Sequence, residues 1–103
     1  MIKVSVMYPN GAGTTFDMAY YLGTHMPLVK RLAGAALRGQ AVEEGLSGAA
    51  PGSPAAYMAM GHLLFDSVTA FQEVLAAHGP AIMGDVPNYT NSAPVLQVSE
   101  VKL

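Results

Sequence analysis

The order of strand and helix patterns is the feature that most constrains the fold of this chain. Apolar residues alternate with polar ones or run together in four strand-like segments, and two segments have apolar residues at helical spacing. We expect strands over 2–8, 37–46, 56–65 and 94–101, and helices over 14–34 and from 67 to about 78. The order strand-helix-strand-strand-helix-strand predicts two βαβ halves with right-handed crossovers. The fold class is therefore α+β, a four-stranded antiparallel sheet with both helices on one face.

Polar residues and glycines indicate where the helices begin and end. Thr14, with Asp17 three residues later, is expected to cap the first helix, which ends near Gly34. Asp66 or Ser67 caps the second helix. That helix is predicted to end at His78-Gly79-Pro80, because glycine suits a left-handed stop and proline cannot continue the helix. A short helical turn is expected over Ala81–Gly84.

The two faces of the predicted sheet differ in polarity. Val4 and Val6 alternate with Lys3, Ser5 and Met7 in the first strand, and the last strand repeats the pattern. The fully apolar face is assigned to the helices. The mixed face is too apolar for water and too polar for a core, so we expect it to pack against a second copy of the chain, as a homodimer.

Composition narrows the classes of function. The chain has 103 residues, which predicts a single domain, 1–103, and it has no cysteine, so disulfides and thiolate chemistry are absent. Its five basic residues are scattered, which argues against nucleic-acid binding. No apolar run is long enough to cross a membrane and no export signal is recognisable, so we expect no membrane association and a cytoplasmic location.

A proline interrupts the first predicted helix beside a histidine. Pro27 has no amide hydrogen and its ring clashes with the carbonyl four residues back, at Gly23, so the helix should bend or open between these residues. His25 lies within this irregular turn. Histidine titrates near neutral pH, so a histidine at such a site is a candidate acid or base.

Several short segments together resemble the EthD family, which is named for ethyl tert-butyl ether degradation and belongs to the dimeric α+β barrel superfamily. They occur in order over nearly the whole chain: Met7-Tyr8-Pro9, Phe16-Asp17, Tyr20-Tyr21-Leu22, His25-Met26-Pro27-Leu28, Phe65-Asp66-Ser67, Asp85–Thr90 and Pro94-Val95-Leu96-Gln97. The resemblance implies a ferredoxin-like monomer whose sheet pairs with a partner's sheet to close a barrel. It implies no single activity, because relatives include cofactor-free monooxygenases, isomerases, cyclases and dehydratases.

Three residues form the candidate catalytic set: His25, Tyr21 and Asp85. His25 would act as general base or acid, facing a cavity of about a few hundred Å³, or it would be a structural histidine bonded to a carbonyl freed by Pro27. Tyr21 lies four residues earlier on the same helical face and would bond a substrate oxygen, or only pack. Asp85 would orient His25, or would accept bonds from the amides of Asn88 or Tyr89 in a turn.

Methionines and a second histidine form the candidate substrate-binding set. Methionine fills irregular apolar space and adapts to varied ligands, although most methionines serve as ordinary core residues. The residues proposed to wall an apolar pocket are Met7, Met26, Met58, Met60 and His62. The three histidines lie 37 and 16 residues apart, which gives no local metal-binding motif, so we expect no metal and no other cofactor.

Two hypotheses for function follow. The first is a cofactor-independent enzyme of catabolic or secondary-metabolite pathways, acting on a small apolar oxygenated molecule by proton transfer, as an isomerase, a dehydratase or a monooxygenase. The second is a non-catalytic accessory protein that binds a hydrophobic intermediate for a partner oxygenase. The two hypotheses differ in the role of His25, which the enzyme would require for turnover and the accessory protein would not.

Overall fold

A four-stranded antiparallel sheet forms the base of the structure, a computed structural model that describes all 103 residues. The order of strands across the sheet is β2-β3-β1-β4. Their bounds are Ile2–Pro9 for β1, Gly39–Glu44 for β2, Tyr57–Phe65 for β3 and Val95–Glu100 for β4. The predicted βαββαβ order and the ferredoxin-like α+β fold are confirmed.

The helix-covered face of the sheet holds the core. Ile2, Val4 and Phe65 are buried and pack against Phe71 and Val74 of the second helix. Because β1 is central and pairs with both β3 and β4, its even-numbered residues lie under the helices and its odd-numbered residues face the other way. The assignment of the Val4 face to the helices is therefore correct.

The first helix, α1, spans residues 18–33 in three consecutive parts. Met18–Tyr20 is α-helical, Tyr21–His25 is π-helical and Met26–Ala33 is α-helical again. A π-turn requires hydrogen bonds to the fifth residue back, and the amide of Met26 donates to the carbonyl of Tyr21. The predicted interruption before Pro27 is confirmed, and it takes the form of a π-turn.

Asp17, and not Thr14, caps α1. The Asp17 carboxylate accepts a hydrogen bond from the amide of Tyr20 at 3.0 Å. The hydroxyl of Thr14 instead accepts from the amide of Gly11 and donates to its carbonyl, at 3.0 and 2.9 Å. The predicted Thr14 cap is wrong, because Thr14 is used to close the turn that follows β1.

The second helix, α2, spans Val68–Gly84 and passes through Pro80. Ser67 caps it, as predicted, by accepting from the amide of Ala70 at 3.1 Å. The predicted end at His78-Gly79-Pro80 is wrong. Gly79 is buried within the helix and does not adopt the left-handed conformation. Ile82 and Met83, beyond the proline, face the cavity under the helices, and their packing favours continuing the helix despite the missing amide.

None of the helices combines the length and the apolar character needed to cross a membrane. Short 3-10 turns follow both helices, over Gly34–Ala36 and Val86–Asn88. The second of these turns returns the chain to the first helix and positions the candidate site described next.

Candidate functional site

An apolar cavity of about 50 Å³ lies between the sheet and the two helices. Fifteen of its 18 lining residues are hydrophobic, and the three exceptions are His25, Gly61 and Pro94. Leu75, Met83 and Leu96 also line it and remain 41–42% exposed, so they mark its mouth, between α2 and β4. The cavity is smaller than the few hundred Å³ expected from the sequence, because apolar side chains of both helices fill the space over the sheet.

His25 ends the π-turn and pairs with Asp85, which ends α2. The ring is 4% exposed, and its Nδ1 atom lies 2.9 Å from Oδ2 of Asp85. The π-turn turns the histidine toward the C-terminal end of the other helix, although 60 residues separate the two in sequence. The structure thus brings together the two ionisable members of the candidate catalytic set.

Three side chains hold the Asp85 carboxylate. Besides His25, the hydroxyl of Tyr20 donates to Oδ1 at 2.6 Å and the amide of Asn88 donates to the same atom at 2.9 Å. Burial opposes ionisation, but the hydrogen bonds from Tyr20, Asn88 and His25 outweigh it, so the pKa of Asp85 lies below its ordinary value. The carboxylate accepts no bond from the backbone amides of Asn88 or Tyr89, so the expected turn role of this side chain is wrong.

This pairing fixes the proton on the imidazole. An ionised carboxylate can only accept hydrogen bonds, so Nδ1 of His25 must donate to Asp85. In a neutral ring the other nitrogen, Nε2, then carries a lone pair. His25 therefore presents a basic nitrogen on the side away from Asp85.

Buried tyrosine hydroxyls surround that nitrogen. The hydroxyl of Tyr89 lies 3.4 Å from Nε2 of His25 and 2.6 Å from the hydroxyl of Tyr8. The ring of Tyr21 stacks on that of His25, with 5.3 Å between centroids and 15° between planes. Burial is the main cause that raises the pKa of Tyr8, Tyr21 and Tyr89 above the ordinary value of 10.0, so all three hydroxyls stay neutral.

Gly61 on β3 makes room for Tyr21. A Cβ atom at this position would collide with the Tyr21 hydroxyl. The same residue lines the cavity together with Tyr21 and Tyr8. The glycine is thus needed for close approach of a side chain, and not for an unusual backbone angle.

The predicted substrate-binding residues are divided between different surfaces. Met26 lines the cavity with His25, as expected. Met7, Met60 and His62 lie on the opposite face of the sheet, since Met7 pairs with Met60 and Ser5 pairs with His62 in the ladder between β1 and β3. The expectation that they wall the pocket of His25 is wrong because strand alternation directs them away from the helices.

Met58 is also separated from the cavity. The register between β1 and β3 shifts after Tyr8, and Met58 falls at this irregularity. It lines a shallow cleft beside Phe16 and Leu46 instead. The strand pattern alone did not indicate the shift.

His62 forms a hydrogen-bonded network of its own on the open face of the sheet. Its Nδ1 atom lies 2.8 Å from the Ser5 hydroxyl, and its Nε2 atom lies 2.7 Å from Oε1 of Glu43. No three histidine or carboxylate side chains converge in a way that could hold a metal ion.

Three tyrosines that the sequence analysis did not select belong to the site: Tyr8, Tyr20 and Tyr89. Each lies in a segment that resembles the EthD family, and this resemblance is the signal that could have selected them.

Comparison with known proteins assigns the family. An EthD-like protein from Ralstonia eutropha JMP134 is similar in crystal structure, with a TM-score of 0.95 and 49% identity over 99% of this chain and 92% of that chain. A proposed monooxygenase from Shewanella loihica PV-4 has a TM-score of 0.61 at 9% identity, over 99% of this chain and 94% of that one.

A dimeric ferredoxin-like protein from an uncultured marine organism has a TM-score of 0.54 at 9% identity, over 100% of this chain and 98% of that one. The Shewanella protein and the marine protein thus share the fold of this chain. No curated protein matches the sequence at a significant level. The model of the EthD domain matches residues 11–93, and with the Ralstonia relative this shows that the chain belongs to the EthD family.

Proposed function

We propose that this EthD protein transfers a proton to or from a small apolar oxygenated molecule, without a cofactor, and that His25 is the base. The observation that carries the proposal is the 2.9 Å contact between His25 and Asp85 at the wall of an apolar cavity. A buried imidazole oriented by a carboxylate is the arrangement that general-base catalysis requires.

Each member of the set has a distinct role. Asp85 holds the tautomer that leaves Nε2 of His25 free, and its negative charge stabilises the imidazolium that forms when Nε2 takes a proton. Tyr21 offers a neutral hydroxyl to a ligand oxygen. Deprotonation beside a carbonyl or of a phenol would serve isomerisation, dehydration or oxygenation, which are isomerase, lyase and oxidoreductase reactions.

A ligand must enlarge the cavity as it binds. A cavity of about 150 Å³ admits benzene in an engineered protein, and the cavity here is about 50 Å³. The half-exposed side chains of Leu75, Met83 and Leu96 are the least restrained part of its wall. We therefore expect the ligand to enter between α2 and β4 by displacing these side chains.

Exchange of the α-protons of 2-tetralone in D₂O, followed by NMR, tests the proposal with an apolar enolisable ketone as probe. The wild-type protein is expected to accelerate exchange, and His25→Ala to slow it by about 10²- to 10⁴-fold while remaining folded. His62→Ala, on the other face of the sheet, is the matched control and should exchange as the wild type does. Equal rates for wild type and His25→Ala would contradict the role of His25.

The small cavity and the 4% exposure of His25 favour a second function, a non-catalytic carrier that holds a hydrophobic intermediate for a partner oxygenase. A carrier would bind 2-tetralone without accelerating exchange, and His25→Ala would lower the melting temperature but leave binding intact. Binding measured by calorimetry on the same pair of proteins distinguishes the two functions.

We further propose that the open face of the sheet pairs with a second copy, which forms a homodimer. Met7 and Met60 lie there half-buried, Val95 is 47% exposed, and a structural relative is described as dimeric. Stable interfaces bury about 1,200–2,000 Å² in total, which a four-stranded sheet face can supply.

Light scattering at micromolar concentration tests the dimer. The wild type should have about twice the chain mass of 10.7 kDa, and Met60→Lys should be monomeric because it places a charge at the centre of the proposed interface. Leu22→Lys is the control, since Leu22 is 52% exposed on the outer surface of α1. A wild-type monomer would contradict the proposed interface.

A further inference from the structure

We propose that Tyr8 and Tyr89 form a hydrogen-bonded relay that carries a proton from the hydroxyl of a ligand in the cavity to Nε2 of His25. The inference rests on the proposed function and specifies it further. It assigns the ligand class as an apolar phenol or enol, and it makes Tyr89 a participant that no ligand needs to touch.

The direction of the relay follows from His25. Because Nδ1 donates to Asp85, Nε2 must accept, and the only side-chain group that reaches it is the Tyr89 hydroxyl at 3.4 Å. The single proton of the Tyr89 hydroxyl is used in the hydrogen bond to His25. The Tyr89 oxygen therefore accepts a hydrogen bond from the Tyr8 hydroxyl at 2.6 Å. Each hydroxyl carries one proton, so the Tyr8 oxygen is in turn left to accept from a ligand hydroxyl.

The pKa directions agree with this order. After burial, the bond that Tyr8 donates to Tyr89 further raises the pKa of Tyr8, and the corresponding contact lowers that of Tyr89. Donation stabilises the protonated form and acceptance stabilises the ionised form, so Tyr8 donates to Tyr89.

The ends of the relay lie in different surroundings. Tyr21, Tyr8 and His25 line the cavity, whereas Tyr89 lies behind them, against an outer groove formed with Asp17 and Asn91. The first acceptor of the relay is the Tyr8 oxygen, which belongs to the cavity wall and bonds to Tyr89. A ligand hydroxyl that donates to this oxygen would connect to His25 through the relay.

The transfer balances without any other reactant. The ligand O–H bond breaks and its proton joins the Tyr8 oxygen, while the original proton of Tyr8 moves to the Tyr89 oxygen and that of Tyr89 moves to Nε2 of His25. His25 gains a proton on Nε2 and becomes an imidazolium beside the Asp85 carboxylate, and the ligand becomes an oxyanion. No electrons are transferred to or from the ligand, and the reverse sequence of proton transfers returns the proton to it.

The cavity also selects the charge state of the ligand. Its lining includes no lysine and no arginine, and most of it is apolar. An anion would therefore enter at a high desolvation cost, whereas a neutral phenol or enol enters readily and loses its proton only inside. The site fits ligands that are neutral in water and whose hydroxyl can ionise.

4-Nitrophenol tests the relay directly, because its absorption spectrum reports its own ionisation. Below the pKa of the free phenol, wild-type protein is expected to bind it and raise its ionised fraction. Tyr8→Phe and Tyr89→Phe should bind the probe but lower the ratio of ionised to neutral bound probe by about tenfold, equivalent to one pKa unit. Tyr57→Phe, outside the relay at the start of β3, is the matched control and should behave as the wild type does.

The variants separate failure of the relay from failure of the proposed function. If His25→Gln abolishes ionisation and Tyr89→Phe does not, His25 takes the proton directly and the relay is wrong, while the proposed base remains. If His25→Gln ionises the probe as the wild type does, the proposed function fails. If the wild type leaves the bound probe neutral or does not bind it, the assigned ligand class is wrong.

An NMR measurement on the free protein tests the relay without a probe. The ¹⁵N shift of Nε2 in His25 is expected to change in Tyr89→Phe and, in the same direction and by a smaller amount, in Tyr8→Phe, since Tyr8 acts on the ring only through Tyr89. An unchanged shift in both variants would show that the hydroxyls are not coupled to His25.

Discussion

The two faces of the sheet each carry a histidine paired with a carboxylate, and the two pairs have different surroundings. His25 and Asp85 lie 2.9 Å apart under the helices, with side chains 5% and 11% exposed. His62 and Glu43 lie 2.7 Å apart on the open face, with side chains 15% and 55% exposed. The shorter of the two nitrogen–oxygen distances thus belongs to the more exposed pair, His62 and Glu43.

Distance alone therefore does not identify the pair that is more firmly held. Asp85 is held by three side chains, whereas Glu43 bonds only to His62 and extends into solvent. Exposed ion pairs contribute little, since water screens the charges and the side chains lose freedom when they pair. His25 of the buried pair also lines the apolar cavity, whereas neither His62 nor Glu43 does.

The largest expected difference between the two faces concerns glycine. Gly61→Ala would push its new methyl group into the Tyr21 hydroxyl, and we expect a loss of about 3 kcal/mol in the free energy of unfolding together with a weaker Tyr21–His25 stack. Gly39→Ala, on the open face, meets only the flexible end of Leu64 at 3.1 Å and should cost much less. Urea unfolding of both variants checks this, and equal losses would contradict the tight fit of Tyr21.

The next largest effect concerns the Asp85 carboxylate. Asp85→Asn removes the charged acceptor of three hydrogen bonds, and we expect it to cost about 2 kcal/mol at neutral pH. Because the pKa of Asp85 is lowered in the folded protein from its ordinary 3.8, its contribution is complete above the unfolded pKa and is lost as the pH falls through the folded pKa.

Thermal melts between neutral and acidic pH measure this contribution. The wild type should lose stability in acid more steeply than Asp85→Asn, and Tyr20→Phe, which removes the 2.6 Å bond to Oδ1, should lie between them. If the melting temperatures of the wild type and Asp85→Asn fall in parallel with pH, the partners of Asp85 do not stabilise its ionised carboxylate.

The sequence could predict most of the fold, because the pattern of each strand depends on neighbours in sequence. The interruption of α1 was foreseeable for the same reason, since Pro27 removes an amide whatever the rest of the chain does, but its π-helical form was not. The end of α2 was not foreseeable. It depends on how Ile82 and Met83 pack under the helices, and that tertiary contact overrode the local stop signal at Gly79-Pro80.

The site was predictable only in part. His25 and Asp85 stood out because each lies in irregular backbone, and the structure joins them. The tyrosine cluster could not be predicted, because it depends on contacts such as Tyr8 with Tyr89, 81 residues apart. Met7, Met60 and His62 were misassigned although strand alternation already placed Met7 on the mixed face, away from the helices that cover the cavity.

The smallest expected effect comes from the carboxylate of the open face. Glu43→Gln removes the charge beside His62 but keeps an acceptor oxygen, and we expect a loss of at most about 1 kcal/mol in the monomer's free energy of unfolding. Urea unfolding at low protein concentration measures this monomer value, and comparison with Asp85→Asn at the same pH measures the contrast between the two faces. A loss as large as that of Asp85→Asn would mean that the His62 pair is more than a solvated ion pair. If that loss appeared only at concentrations where the chain dimerises, it would mean that a second copy buries the pair. Burial between two copies would make this pair as costly to break as the one beneath the helices, since an ion pair removed from water loses its screening.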